Sequence, residues 1–416
     1  MATALVMGNM IGSGVFLLPA DLAGFGWNAV LGWALTIAGS LCLAFIISRM
    51  TLAMPDEGGA AGFVAKAFGP VPGFLVGWAY WVSIWTTIAT LAVAAISALS
   101  YSVPLLDIHG TSATLVLLWL VTLINLRGAR TAGGFQTVTL AIKLVPLVAV
   151  IILIALVLAD KGTAVVAPFP AEGLSAVAVN GAATLTLWAM LGFESASVAN
   201  DKVENPARTV PRATLAGTAA VGLIYMITCS GIALMLPAAK VSGSAAPFAV
   251  FVSEYWAAGP AVLISLFVAV SAIGALNGWI LMQGVLPASL AKRGMLPSWI
   301  GHETGRGVPA RALIIASLIS SAFILLNADK STGKLFTLMA TLSTSATLWL
   351  YLACAVAALR FRIAIPIAVL GLIYSLWAIW GAKLDVSAMS FILMIIGLPF
   401  YWIARLRRSD FRLRRR

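Results

Sequence analysis

Two ionisable side chains interrupt stretches that are otherwise uncharged and apolar. Lys143 sits in Leu140-Ala141-Ile142-Lys143-Leu144-Val145-Pro146, and Glu194 in Leu191-Gly192-Phe193-Glu194-Ser195. A charge at the centre of a bilayer costs at least about 2.5–3.5 kcal/mol on insertion scales, so each is expected to face a polar interior or to exchange a proton. The plainer reading is a structural ion pair or hydrogen bond. Two glycine-bearing motifs accompany them: Gly12-Ser13-Gly14 in the middle of the first apolar stretch, and Gly192 two residues before Glu194. Glycine costs about 1 kcal/mol relative to alanine inside a helix, so both are weak points, although small residues also serve close helix packing. A helix that restarts in mid-membrane presents free N–H groups and a positive dipole end, which suit a carboxylate. The carbonyls freed on the other side of the break suit an ammonium, and an α-amino acid carries both groups. Trp188 and Trp279 lie away from the ends of their stretches, whereas Trp299 and Trp402 fit an interfacial belt. Beside a broken helix, Trp188 and Trp279 become walls or gates whose faces hold a cation; read alone, they are packing residues.

The elements that must position these groups follow from composition. Of 416 residues, 61% are hydrophobic and 10% charged, against roughly 45–50% and 25% in ordinary globular domains. No water-soluble fold of this length could cover that much hydrocarbon, which leaves an integral membrane protein. A spanning helix needs about 20 mostly apolar residues. Cutting at the charges gives twelve stretches: 2–20, 22–48, 67–106, 108–126, 131–159, 173–200, 213–239, 255–291, 312–328, 335–359, 363–382 and 386–404. The long third and eighth have room for a short surface helix beside the span, or for strong tilt. Barrel-like alternation over about 10 residues is absent from the sequence, so an all-α polytopic bundle of twelve transmembrane helices is expected. With the N-terminus in the cytoplasm, thirteen Lys and Arg residues from Arg49 to Arg362 and seven in the tail from Arg405 to Arg416 fall inside. Lys161, Lys240, Lys330, Lys334 and Lys383 fall outside. That bias predicts cytoplasmic termini at a cell (inner) membrane.

The basic tail, 406–416, reads as a contact with anionic lipid rather than with nucleic acid. Cys42, Cys229 and Cys354 lie apart in apolar stretches, neither a disulfide framework nor a metal site. No basic segment precedes the first stretch, so no signal peptide is expected. Residues 2–10 cover only about 13 Å of helix, a short start for a spanning segment. If the sixth stretch opens a second set of five, stretches 1 and 6 correspond. Paired interruptions in corresponding helices are the best sequence pointer to a transporter's site.

Two long motifs, Gly8-Asn9-Met10-Ile11-Gly12-Ser13-Gly14-Val15-Phe16-Leu17-Leu18-Pro19 and Trp188-Ala189-Met190-Leu191-Gly192-Phe193-Glu194-Ser195-Ala196-Ser197, carry a resemblance. Glu204-Asn205-Pro206 with Val210-Pro211, Gly58-Gly59 with Phe68-Gly69-Pro70, and Gly278-Trp279 add to it. Over nearly its whole length the chain resembles the amino acid–polyamine–organocation transporters, and among them the basic amino acid/polyamine antiporters. The resemblance implies a five-plus-five inverted repeat, residues 1–160 and 173–360, with helices 1 and 6 broken and two C-terminal helices over 361–405. It implies that the amides of Ser13 and Gly14, beside Gly12, hold a substrate carboxylate, while carbonyls of Met10, Trp188 and Leu191 take the amino group. Trp279 would lie against the substrate side chain, Tyr80 and Trp188 would gate the site, and Glu194 would be the titratable coupling residue. Lys143 looks like the span 5 lysine of proton-coupled and exchanging relatives, whose ammonium occupies the place of a sodium ion. Ser83, Ile84 and Ile88 depart from the polar side-chain pocket of one antiporter in that family, Ile88 standing where it has an asparagine that helps orient the substrate.

The function expected is secondary transport of amino acids or their decarboxylated amines, by exchange of the arginine-for-agmatine kind and without a cofactor. The alternative is proton-coupled symport or export of neutral amino acids using Lys143. No G-x-x-x-x-G-K-S/T loop for ATP is present in the sequence. An intramembrane enzyme would need an acid–base pair at depth, and His109 and His302 lie at loop edges. A scaffold or receptor would not need two broken helices. The partners expected are a small amino acid or polyamine, the lipid bilayer and no nucleic acid; homodimers are common in the family it resembles.

Overall fold

The computed structural model describes residues 2–57, 59–100, 103, 105–198, 203, 205–242, 244, 246–257, 260–326, 328, 332–381 and 384–413. Gly58 and Glu204 of the motifs, and Lys202, Lys330, Lys383 and the last three arginines, lie outside them. Described residues form helices and connections with no strand among them. In lipid each backbone N–H and C=O must be satisfied within its own segment, which a helix does and an open strand does not.

In chain order the helices are α1 Ala2–Met10, α2 Gly14–Leu22, α3 Trp27–Ala53, α4 Ala60–Phe68, α5 Pro70–Ser100, α6 Leu105–Ile108, α7 Gly110–Leu126, α8 Ala129–Lys161, α9 Ala176–Ala189 and α10 Ser195–Val198. They continue with α11 Pro206–Met235, α12 Ala238–Val241, α13 Pro247–Tyr255, α14 Pro260–Lys292, α15 Ala310–Leu325, α16 Thr332–Arg360, α17 Ile365–Gly381, α18 Leu384–Ile395 and α19 Leu398–Leu413. Among the described residues, eight stretches are long and apolar enough to cross a membrane, and α7, α9, α15 and α17 are shorter apolar helices.

The third stretch is one helix, α5, of 31 residues. At 1.5 Å per residue it runs about 46 Å, longer than the ~30 Å hydrocarbon core. The eighth is likewise one helix, α14, of 33 residues. Most of each interval is therefore one long helix, with the short helices α4 and α6 reaching into the margins of the third and α13 into that of the eighth. The tail stays helical to Leu413 as the end of α19.

Burial sorts the helices into a centre and a rim. In the most apolar 18-residue window of α5, 83% of residues are buried, against 33% in that of α8. The α5 helix packs against α14, α16 and α7, while α3 packs against α11 and α9. The lipid-facing side of α8 shows Val145, Val148, Ile152 and Leu156. Its opposite side buries Lys143 completely. The lysine is thus carried from an apolar stretch of α8 into the interior of the bundle, as a charge at membrane depth requires.

Candidate functional site

The chain leaves helical geometry between Met10 and Gly14 and again between Ala189 and Ser195. The two breaks have different local causes. At the second, Gly192 has φ +111°, a conformation L side chains rarely adopt, and an added Cβ there would lie 3.1 Å from the backbone of Asn9 and Met10. At the first, no residue has positive φ; Gly14 is required because a Cβ would run into the Trp188 ring. Each glycine thus admits the opposite break, and the two interruptions face one another.

Interrupting a helix orphans carbonyls and amides alike. In the first break the carbonyls are all met by side chains from neighbouring helices. Lys143 Nζ donates to the carbonyls of Gly8 and Ile11, both at 2.6 Å. Trp279 Nε1 donates to Asn9 O (3.2 Å), Tyr225 OH to Met10 O (2.7 Å) and Ser271 Oγ to Gly12 O (3.3 Å). The helical donor for Gly8 O would be the amide of Gly12, which instead turns to Met10 O. The lysine replaces the missing helical donors with one ammonium. By contrast, the amides of Ser13 and Gly14 meet no acceptor among the described residues. Ser13 Oγ, fully buried, has no hydrogen-bond partner either. Unpaired donors at the start of α2, with a buried cation beside them, leave this corner short of negative charge.

The second break holds its own acid. Glu194 is fully buried, and Tyr80 of α5 and Tyr351 of α16 each donate a hydroxyl to it at 2.5 Å, one to each carboxyl oxygen. The amide of Gly192 donates to Oε2 as well, at 3.2 Å. Phe193 stacks on the Tyr351 ring at 4.9 Å. Charge-assisted hydrogen bonds of this kind are roughly twice as strong as neutral ones, and they compensate the removal of the carboxylate from water. No ion pair joins Glu194 to Lys143; each charge has its own set of dipoles.

Between the breaks lies a cavity of about 20 Å³ lined by Asn9, Met10, Gly12, Gly14, Trp188 and Trp279, with Thr87, Leu91, Ala189 and Leu191 completing it. That is room for about one water, far below the several hundred Å³ of a small-molecule site. Trp188 and Trp279 thus stand on its walls, as does Leu191. Tyr80 does not line it: its hydroxyl is committed to Glu194, and its ring lies 6.5 Å from that of Trp279. Met10 O already accepts from Tyr225, and Trp188 O from the amide of Leu191 (3.2 Å), so an ammonium would find only their second lone pairs. Ser83, Ile84 and Ile88 are fully buried in α5, and Thr87 Oγ1 shares a 2.5 Å hydrogen bond with Ser343 of α16.

Sequence reasoning missed Tyr225, Ser271 and Tyr351. A lone tyrosine inside an apolar span, as in Leu350-Tyr351-Leu352 or Ile224-Tyr225-Met226, is the signal that was available, since a buried tyrosine hydroxyl usually finds a partner.

Residues 1–410 match the family whose description is "Amino acid permease". The cadaverine/lysine antiporter of Escherichia coli is 30% identical over 413 residues, covering 96% of this chain and 93% of that protein. The putrescine transporter PotE of Haemophilus influenzae is 28% identical over 418 residues, covering 96% and 94%. Among solved structures, the substrate-bound outward-open state of a Na+-coupled sialic acid symporter matches with a TM-score of 0.56 at 13% identity, covering 92% of this chain and 89% of that one. At that identity the likeness is one of fold.

Proposed function

The chain belongs to the amino acid permease family, a family of multi-pass membrane transporters rather than enzymes, and on that premise we propose that it exchanges amino acids, or an amino acid for its decarboxylated amine, by alternating access. The observation that carries this reading is the unpartnered amide pair of Ser13 and Gly14 with the buried Ser13 hydroxyl, beside a cavity that Gly14 lines together with Trp188 and Trp279. A carboxylate satisfies those donors. The ammonium of the same molecule then has the carbonyl side of the two breaks, and its side chain lies along Trp279 toward Thr87 and Leu91. In this reading Gly12 and Gly14 keep the backbone accessible, Trp188 closes over the site, and Tyr80 acts through Glu194. Residues 1–160 and 173–360 are the two inverted halves of a twelve-helix bundle, with 361–405 appended and both termini cytoplasmic.

Support for exchange comes from the relative named as a cadaverine/lysine antiporter, and support for an amine substrate from that one and the relative named as a putrescine transporter. A second reading, proton-coupled movement of neutral amino acids, draws on Lys143, whose ammonium spans two carbonyls of the first break. Losing its proton would leave two N–H donors but remove the charge that strengthens both bonds. Ile84 and Ile88 likewise suit an aliphatic rather than a cationic side chain.

Counterflow in proteoliposomes tests the two together. Vesicles preloaded with unlabelled L-lysine, L-arginine, L-alanine, cadaverine or putrescine are given the same labelled compounds outside. Accumulation only into preloaded vesicles is expected. Accumulation into empty vesicles under an imposed pH gradient would select the proton-coupled reading, and failure of every compound to move would end both.

A further inference from the structure

Five buried side chains form a head-to-tail hydrogen-bond relay across the bundle. Asn125 of α7 donates from Nδ2 to Oδ1 of Asn277 in α14, at 3.0 Å. Asn277 Nδ2 donates to Oε1 of Gln136 in α8, at 3.3 Å. Gln136 Nε2 donates to Oδ1 of Asn9 in the last turn of α1, at 3.4 Å. Asn9 Nδ2 donates to Ser195 Oγ at 2.8 Å, and Ser195 Oγ to the carbonyl of Gly192 at 2.5 Å. All five are at most 3% exposed.

Every link points the same way. A side-chain amide has one accepting and one donating end, so turning any member round sets like ends face to face. The last acceptor is a backbone carbonyl, which cannot donate, and it fixes the polarity of the whole row. Missing side chains make the room. A Cβ on Gly8 would strike Gln136 Nε2, and one on Gly278 would strike Asn9 Oδ1. The relay begins in α7 and α14, behind the cavity, and ends on the residue whose φ of +111° creates the second break. Of its members only Asn9 lines the cavity. The two links made by Gln136 are the longest of the five and exceed the usual 2.7–3.2 Å range.

We propose that Gln136 and Asn277 are positioning residues for transport: through Asn9 and Ser195 they hold the two breaks in register, and the links at Gln136 part when the cavity opens. This rests on the transporter reading. Buried polar rows of this kind are all-or-none devices, because a broken link strands a buried donor and acceptor. Other titratable groups around α8 are few. The packed elements α1 and α7 carry none, α14 has Lys292 in its last turn, α11 has Arg208, Arg212, Tyr225 and Cys229, and α13 has Glu254 and Tyr255 at its end. On α8 itself Arg130 lies six residues before Gln136 and Lys143 seven beyond it, with Asp160 and Lys161 in the last turn.

The test uses the full chain in proteoliposomes, with whichever of labelled L-lysine, L-arginine or L-alanine the wild type exchanges fastest. Gln136→Leu is expected to raise the half-saturation concentration about tenfold, the worth of one hydrogen bond, with the maximal rate within about twofold. Gln136→Glu keeps an acceptor for Asn277 but donates to Asn9 only while its carboxyl is protonated. Relative to wild type at each pH, that variant is expected to follow wild type at pH 5 and Gln136→Leu at pH 8. An unchanged half-saturation for Gln136→Leu, or a Gln136→Glu to wild-type ratio that does not vary with pH, overturns the proposal. Hydrogen exchange across residues 188–198 without substrate separates this from the transporter reading. Faster exchange in Gln136→Leu supports the relay even where none of the three amino acids moves, and equal exchange counts against it.

Discussion

Lys143 does the work that two backbone amides would do in an unbroken helix. Removing it leaves the carbonyls of Gly8 and Ile11 buried without donors, at about 1–3 kcal/mol each. Lys143→Ala is therefore expected to lower the unfolding midpoint in detergent and to cut exchange at least tenfold; wild-type rate and pH dependence in that variant would remove Lys143 from the mechanism. The sequence pointed to this residue because a charge in a hydrocarbon span has few places to go. What it could not supply was the partner. Carbonyls of Gly8 and Ile11 are acceptors only because the helix around them has come apart, a tertiary outcome with no side-chain signature. The same holds for Met10, whose carbonyl is shared with Tyr225 from a helix more than two hundred residues along.

At the level of elements, the broken helices were legible from glycine, but the reason each glycine is needed differs. Gly192 answers a backbone requirement, and Gly14 a packing one. Gly192→Ala combines positive φ, costing roughly 1–2 kcal/mol for an L residue, with a Cβ pressed on the Asn9–Met10 backbone. The expected result is a chain that still inserts and purifies, with exchange reduced by at least tenfold and the midpoint lowered by several degrees; full activity would mean the two breaks do not depend on each other. Helix ends were less readable. Charges mark where a span must stop being apolar, not where its helix stops, so α5 begins three residues inside its interval and ends six short of it, α14 begins five residues inside its own, and α19 continues into the basic tail.

For the whole molecule, class and approximate span positions came from hydropathy alone, since nothing soluble carries 61% hydrophobic residues. Sidedness comes from charge. Lys66 pairs with Glu57 at 2.7 Å and Lys292 with Glu303 at 3.0 Å on the face expected to be cytoplasmic, and Lys240 pairs with Glu254 at 2.8 Å on the other. A short epitope added after Arg416 is expected to resist protease in intact cells and to be cleaved once they are permeabilised; cleavage in intact cells would invert the topology. The site itself was harder to read at this scale because its polar atoms are mostly backbone, and the sequence specifies backbone only through what surrounds it. One feature of that site reaches the bilayer as a whole. With space for about one water between the breaks, packed side chains rather than an aqueous column separate the two sides there, and membrane voltage falls across them. A proton held by Lys143 sits within that drop, where a full crossing is worth about 2.3 kcal/mol per 100 mV. Under the proton-coupled reading proposed above, membrane potential thereby becomes a thermodynamic input to the side on which the protein opens.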